Sequence, residues 1–205
     1  MEDRANTHTP TEVADAFVRD RLSEKRYGHT LRVAATAEDL ARWHGLDPDS
    51  ARLAALLHDA AREIGDPEEC LRIAGEWDLH VGEQERQSPK LLHGPVAAEL
   101  ARRELGVDDA GVLDAIRVHT VGRPGMGPLA LVLFVADKIE PARDYPSVER
   151  LRNLSYQDLY EAAAESLRRT IAHNEDRGKP THWASSETLA WLEAEHAPQA
   201  WVDQE

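Results

Sequence analysis

The stretch "GPLALVLFVADKIEP", residues 127–141, decides the fold. Its eight consecutive apolar residues, Leu129 to Ala136, suit either a strand buried on both faces or a helix at the centre of a bundle. The spacing between Pro128 and Pro141 is a helix length rather than a strand length. A lone strand also has no ladder partner for its backbone, and no second strand-like run exists in the chain. The stretch is therefore predicted to be a central helix, and the chain all-α.

Outward from it, the apolar spacing is helical nearly everywhere, with Gly and Pro as punctuation. Thr11 to Ser23 reads as a first helix with Val13, Phe17 and Leu22 inward, and Tyr27 to His44 as a second, stopped by Gly45. Asp47-Pro48 opens a third, expected to run to near Gly65, and Asp66-Pro67 a fourth, through Ile73. "LLHGPVAAELARRELG" (91–106) and "DDAGVLDAIRVHT" (108–120) give two more. Ser155 with Asp158 resembles a capping box for a long helix ending near Gly178, and Ser185 to His196 suggests a short last one. No internal repeat or low-complexity tract interrupts this single-domain bundle.

The bulk properties narrow the function classes. At 205 residues, 41% hydrophobic and 30% charged, the chain can bury a core of its own. Cys70 is the one cysteine, which excludes a disulfide framework and a cysteine-based zinc site. "MEDRANTHTPTEV" carries no apolar segment of a signal peptide, and no run is long enough to span a bilayer, so a cytoplasmic protein without a membrane partner is expected. The net charge of −14 argues against a nucleic-acid surface, though not against a small phosphorylated ligand in one locally basic cleft.

Four of the ten histidines share a setting, each beside apolar residues on or at the edge of a predicted helix. They are His29 in "RYGHTLRVAATA", His58 in "ALLHDAA", His93 in "KLLHGPVAAE" and His119 in "LDAIRVHTVG". Asp59 and Asp137 have the same setting. The other six, His8, His44, His80, His173, His182 and His196, lie in polar stretches or near helix ends and read as solvated residues or local caps. A single buried histidine is most often a satisfied core residue, and Asp137 alone could pair with Lys138 or an arginine. Six such groups need six separate compensations, whereas one shared metal centre compensates all of them. Four imidazoles and two carboxylates suit two first-row ions such as iron, manganese, cobalt or zinc. His58 and Asp59, adjacent on a helix, cannot face one direction, so they are expected to serve neighbouring ions with Asp59 bridging.

The order His, His-Asp, His, His, Asp resembles the binuclear branch of the HD-domain phosphohydrolase superfamily. The blocks "RYGHTLRV", "AALLHDAAR", "LLHGPVAAELARRELG", "AIRVHTVGRPGM" and "ADKIEPARDYP" are together similar to the YqeK-type symmetrical bis(5'-nucleosyl)-tetraphosphatases, from Arg26 to Tyr145. The resemblance implies an HD-type domain over residues 11–178 with its motif core at 26–145. A C-terminal segment, 179–205, follows, with no family counterpart beyond about Ala190 and the character of a solvated or dimer-covering tail. It also implies that His29, His58, Asp59, His93, His119 and Asp137 ligate two divalent ions, iron by preference. Arg26, Arg62, Lys90, Thr120 and Arg143, with His29, Asp59 and His119, are implied to hold the nucleotide. At 62 the family commonly has lysine; arginine keeps the charge and changes the hydrogen-bond geometry. Further nucleotide contacts are implied near "RGKPTHWAS" (177–185).

The activity implied is cleavage of diadenosine tetraphosphate into two ADP by a hydroxide bridging the metal pair, with His58 and Asp59 at the catalytic centre. Three other readings stay open at this stage: an HD-type hydrolase of a nucleoside monophosphate or guanosine alarmone, a metal-dependent dinucleotide-binding protein without turnover, and a plain structural bundle. A homodimer is compatible with the sequence and not required by it.

Overall fold

The computed structural model describes residues 9–195, and His8 and His196 lie outside them. Among the described residues the chain forms eleven α-helices, one 3-10 turn and no strand. In order they are α1 (Pro10–Arg19), α2 (Glu24–Trp43), α3 (Pro48–Leu57), α4 (Pro67–Glu76), α5 (Glu83–Gln87), the 3-10 turn Pro89–Leu92, α6 (His93–Leu105), α7 (Ala110–Val118), α8 (Pro128–Ile139), α9 (Val148–Gln157), α10 (Leu159–Asp176) and α11 (Trp183–Glu195). Among the described residues no helix is long and apolar enough to cross a membrane.

The deciding stretch is α8, and it is buried all round: Leu131, Val132, Leu133, Phe134, Val135 and Ala136 are all out of reach of solvent. It packs against α2, α3, α7, α9 and α10. Only an element that satisfies its own backbone can be wrapped on every side, which is why this apolar run is a helix. Side-chain caps set several helix starts, at Asp47 and Asp66 as the sequence indicates and at Asp109 besides. Asp47, Asp66 and Asp109 accept the orphan amides of Ser50, Glu69 and Val112. Gly106, in the left-handed region at φ 67°, ends α6.

Several details depart from the sequence reading. The third helix stops at Leu57, not near Gly65, because the His58 ring takes the Ala55 carbonyl that the next helical amide would need. Tight turns follow, with Ala60 N–H bonded to Leu57 O and Arg62 N–H to Asp59 O. The fifth predicted helix begins at His93, after the 3-10 turn. The capping box at Ser155 is not one: Ser155 is buried inside α9, its hydroxyl on Arg152 O, and extended Asp158 caps α10 through Glu161 N–H. In α1 the inward face belongs to Ala14 and Val18, while Val13 points to solvent.

The C-terminal ends of α3 and α7 and the N-terminal end of α6 meet beside α2 and α8. Their approach depends on Gly94. A Cβ there would stand 2.9 Å from Arg117 O, 3.1 Å from Ile116 O and 3.3 Å from the His119 ring. Two of those are backbone atoms and cannot swing aside. Gly94→Ala is therefore expected to destabilise the fold by roughly 1–3 kcal/mol, the usual cost of overpacking, read as a lowered denaturation midpoint. Gly75→Ala, where nothing lies within 4 Å, is expected to cost nothing by overpacking.

Candidate metal centre

Three of the four singled-out histidines occupy the same kind of position, directly after a helix end. His58 follows α3, His119 follows α7, and His93 follows the 3-10 turn. Each bonds through Nδ1 to the carbonyl three residues back: His58 to Ala55 at 2.6 Å, His93 to Lys90 at 2.5 Å and His119 to Ile116 at 2.8 Å. His29, inside α2, bonds through Nδ1 to Glu140 Oε1 at 3.2 Å. Carbonyl and ionised carboxylate oxygens only accept, so all four Nδ1 atoms carry the proton. In the neutral ring Nε2 is then a free lone pair, and all four Nε2 atoms point to one place.

Asp59 and Asp137 share that place. Asp59 Oδ2 lies 3.4 Å from His58 Nε2 and 3.9 Å from His29 Nε2, while its Oδ1 lies 3.3 Å from His93 Nε2. Asp137 Oδ1 is 3.1 Å from His29 Nε2. His93 and His119 bring their Nε2 atoms within 3.0 Å, a contact that needs a proton or a cation between two acceptors. The Nε2 atoms of His29 and His58 are buried with no hydrogen-bond partner. Orphaned buried donor atoms converging with carboxylates are what a metal ligand set looks like without its ion. Among the described residues two triads satisfy the spacing, His29–His58–Asp137 and His58–Asp59–His119, with His58 common to both. Asp59 nevertheless spans them, one oxygen toward each side. His58 and Asp59 stand just past the end of α3, and His58 Nε2 and Asp59 Oδ2 reach the same cluster.

The electrostatics follow from burial and crowding. Burial favours a neutral His58, but the Asp59 carboxylate outweighs it and holds the ring's pKa above the ordinary histidine value. Burial would raise the Asp59 and Asp137 carboxyls, yet His58 for the one and Lys138 and His29 for the other hold both well below the usual range. His119, buried and repelled by His93 and His58, is driven well below the ordinary histidine value and is neutral.

The cations divide into two sets. Arg26 bonds Asp59 Oδ2 at 2.9 Å; Arg143 and Lys138 bond Asp137 at 2.7 and 2.8 Å. The pairing of Asp137 with neighbouring cations is thus present alongside the histidine cluster. Arg62 and Lys90 are exposed at the rim and make no side-chain ion pair with any described residue. The Thr120 hydroxyl reaches His119 Nε2 at 3.1 Å. Arg26, Arg62, Lys90, Thr120 and Arg143 all line a cavity of about 350 Å³ with Asp59, His93, His119 and Asp137 in its wall. His29 and His58 lie behind it. The segment around residues 177–185 does not line this cavity. It is latched to α5, with Gln84 bonded to Thr181 O and Trp183 N–H, and His182, expected to be solvated, is buried against Glu85 at 2.9 Å.

Glu140 was not singled out by sequence. Its carboxylate, buried, accepts from His29 Nδ1, Arg32 Nε at 2.7 Å and Ala142 N–H at 2.8 Å. Burial opposes its charge, and Arg32 overcomes that. The available signal was a second acid three residues after Asp137, just before a helix-ending proline.

A helical domain carrying this His/Asp constellation defines a class: the chain belongs to the HD-domain family, whose model, described as "HD domain", matches residues 26–142, more than half of it. Within that family it is similar to the symmetrical bis(5'-nucleosyl)-tetraphosphatase of Bacillus subtilis strain 168, 41% identical over 88% of this chain and 96% of the relative. The protein of that name from Staphylococcus aureus is 36% identical over 78% of this chain and 82% of its own. Among solved structures, an HD superfamily hydrolase from Clostridium acetobutylicum described as involved in NAD metabolism superposes with a TM-score of 0.86, at 34% identity, covering 89% of this chain and 96% of that one. These relatives place the chain in the symmetrical tetraphosphatase branch of the HD-domain family.

The tautomer assignment is directly testable. Nitrogen-15 spectra of the metal-free protein are expected to show proton-bearing Nδ1 on His29, His58, His93 and His119. In Glu140→Ala the His29 ring is expected to lose that preference and the other three to keep it. A uniform mixture of tautomers in the wild-type protein would contradict the geometry.

Proposed function

We infer that this protein is a metal-dependent hydrolase that cuts dinucleoside tetraphosphates symmetrically, giving two ADP from diadenosine tetraphosphate. The observation that carries the reading is the convergence of four Nδ1-bonded histidines on two carboxylates, with unpaired Arg62 and Lys90 at the rim of the same cavity. The names of the relatives at 36–41% identity supply the substrate class. His29, His58, Asp59, His93, His119 and Asp137 would hold two divalent ions, and His58 and Asp59 are the central pair of that donor set. Iron is the metal proposed, with manganese, cobalt and zinc also matched to the donors. Bound there, the ions would activate water and neutralise phosphoryl oxygens.

The chain's own groups do the rest. Arg62 and Lys90 meet the phosphate chain as it enters, and their charge stabilises the spread negative charge of the transition state. Arg143 is tied to the end of α8 by bonds from Nε to Asp137 O and from a terminal nitrogen to Asp137 Oδ1, which hold its guanidinium plane in the wall of the cavity. Arg26, one helical turn before His29, and Thr120, next to His119, complete the cradle. A nucleoside diphosphate is a good leaving group, so no strong general acid is required. The reading takes the protein to be cytoplasmic.

Cleavage position is the sharpest test. Metal-loaded protein with diadenosine tetraphosphate in oxygen-18 water is expected to release ADP alone, with label on the terminal phosphate of one molecule in each pair. Equal AMP and ATP would overturn the symmetrical assignment, and turnover confined to a nucleoside monophosphate or guanosine alarmone would move the protein elsewhere in its superfamily. Asp59→Ala is expected to lose bound metal and more than about a hundredfold in turnover, beyond what loss of an outer partner costs. His80→Ala, exposed and away from the cavity, should change neither.

Metal uptake should also depend on pH in a defined direction. A metal needs the neutral His58 ring, and the raised pKa of that ring keeps its proton to higher pH than an ordinary histidine would. Affinity is therefore expected to rise with pH through the neutral range, with proton release on loading, as measured by chelator competition at pH 6 and pH 8. Affinity that is flat across that interval would contradict the charge state assigned to His58.

A further inference from the structure

A dinucleoside tetraphosphate cut at its centre has two equal arms, and the metal cavity, at about 350 Å³, lies at the small end of the range for ligand pockets. The second arm needs a place of its own. Three other cavities share walls with the metal cavity. One, of about 260 Å³, adjoins it at Arg62 and Lys90 and contains Asp66, an acid that opposes a phosphorylated ligand. Another, of about 390 Å³, meets it only at Arg143 and carries the acids Asp144 and Glu149. The third is larger, about 610 Å³, and adjoins it at Lys138 and Arg143. Tyr145, Arg169, Thr170 and His173 extend this third cavity, and no carboxylate is among its lining residues. In a chain with 38 acidic against 24 basic side chains, such a lining marks a place for an anion.

Its geometry suits a nucleoside. The Tyr145 ring is fixed by its hydroxyl, which donates to Lys138 O at 2.9 Å, one residue from Asp137. The Arg169 guanidinium lies over that ring, 5.2 Å from its centre, and is held by Pro146 O. A guanidinium braced in this way presents a flat cationic face on which a base can stack, next to hydrogens that reach phosphate or ribose. Lys138 and Arg143 stand at the junction, so the phosphate chain can pass from the metal centre into this cavity without losing cationic contact.

Resting on the function inferred above, we propose that the cavity between the α8–α9 loop and α10 is the subsite for the departing nucleoside diphosphate, with Arg169 and Tyr145 as its specificity-determining residues. The enzyme then distinguishes a dinucleotide from a mononucleotide by what lies beyond the cleaved bond.

The test compares two substrates that differ only there, diadenosine tetraphosphate and adenosine 5'-tetraphosphate, on metal-loaded wild type, Arg169→Ala and Thr170→Trp. Arg169→Ala is expected to lower kcat/KM for the dinucleotide about tenfold, mainly through KM, and to change the mononucleotide less than twofold. Thr170→Trp, which fills the cavity and keeps Arg169, should give the same selective loss. Equal losses on both substrates would show that Arg169 acts only by bracing the loop that carries Arg143, and no loss in either variant would leave the cavity without a role; both results overturn the proposal. Calorimetric binding of the two nucleotides separates this from failure of the inferred activity. A wild type that hydrolyses neither nucleotide but binds the dinucleotide tighter, with the gap closed in Arg169→Ala, refutes the activity and keeps the subsite. No affinity gap in the wild type overturns the subsite whatever the activity.

Discussion

An imidazole that spends its Nδ1 proton on a backbone carbonyl is left with Nε2 as its working atom, aimed by the chain rather than by its own rotamer. His58, His93 and His119 all obey this constraint, each bonded to the carbonyl of the residue three before it. The bond has two consequences at once. It takes an acceptor that would otherwise continue or flank a helix, so each histidine stands at an element boundary, and it fixes which nitrogen enters the cavity. Local structure and site chemistry are therefore one interaction. The close approach of α6 and α7 at Gly94 then sets how near the His93 and His119 rings come, and α8 carries Asp137 to them through the apolar centre of the bundle.

Charge explains why these groups stay together in a strongly acidic protein. The centre collects two depressed carboxylates, a His58 biased toward its charged form and a neutral His119. Arg26, Lys138 and Arg143 pair with its carboxylates, while Arg62 and Lys90 remain without acidic partners among the described residues. Leaving basic side chains unpaired in a chain of net charge −14 makes the cavity a local exception to the surrounding field. An anion that enters this cavity meets positive charge where the His and Asp side chains also converge.

The sequence carried the fold class and the six convergent groups because both depend on local signals. The proline-bracketed apolar run of α8 has one physical solution without a partner strand, and histidines or aspartates among alanine and leucine stand out at once. What it hid depends on contacts between distant segments. Apolar spacing cannot show that the helix before His58 ends at Leu57, since the terminating bond comes from the histidine ring itself. It also cannot show that Ser155 is a buried residue of α9 rather than a cap, nor that His182 pairs with Glu85 across nearly a hundred residues of chain. Glu140 was hidden for the same reason: its meaning lies in His29 and Arg32, on a helix far back in the chain.

The least legible element, α9, has a clear structural role. From it, Arg152 donates to Ile139 O at 2.9 Å and to Glu140 O and Arg143 O at 3.0 Å each, closing the end of α8 like a staple. Those three carbonyls flank the two side chains on which the site's second layer rests: Glu140, which orients His29, and Arg143, which faces both cavities. Arg169 on α10 holds the same loop from the other side through Pro146 O. The loop between α8 and α9 is thus gripped by arginines from two helices. A loop held in this way can present one guanidinium to a phosphate chain at a constant angle, which a free surface arginine of the same sequence could not do.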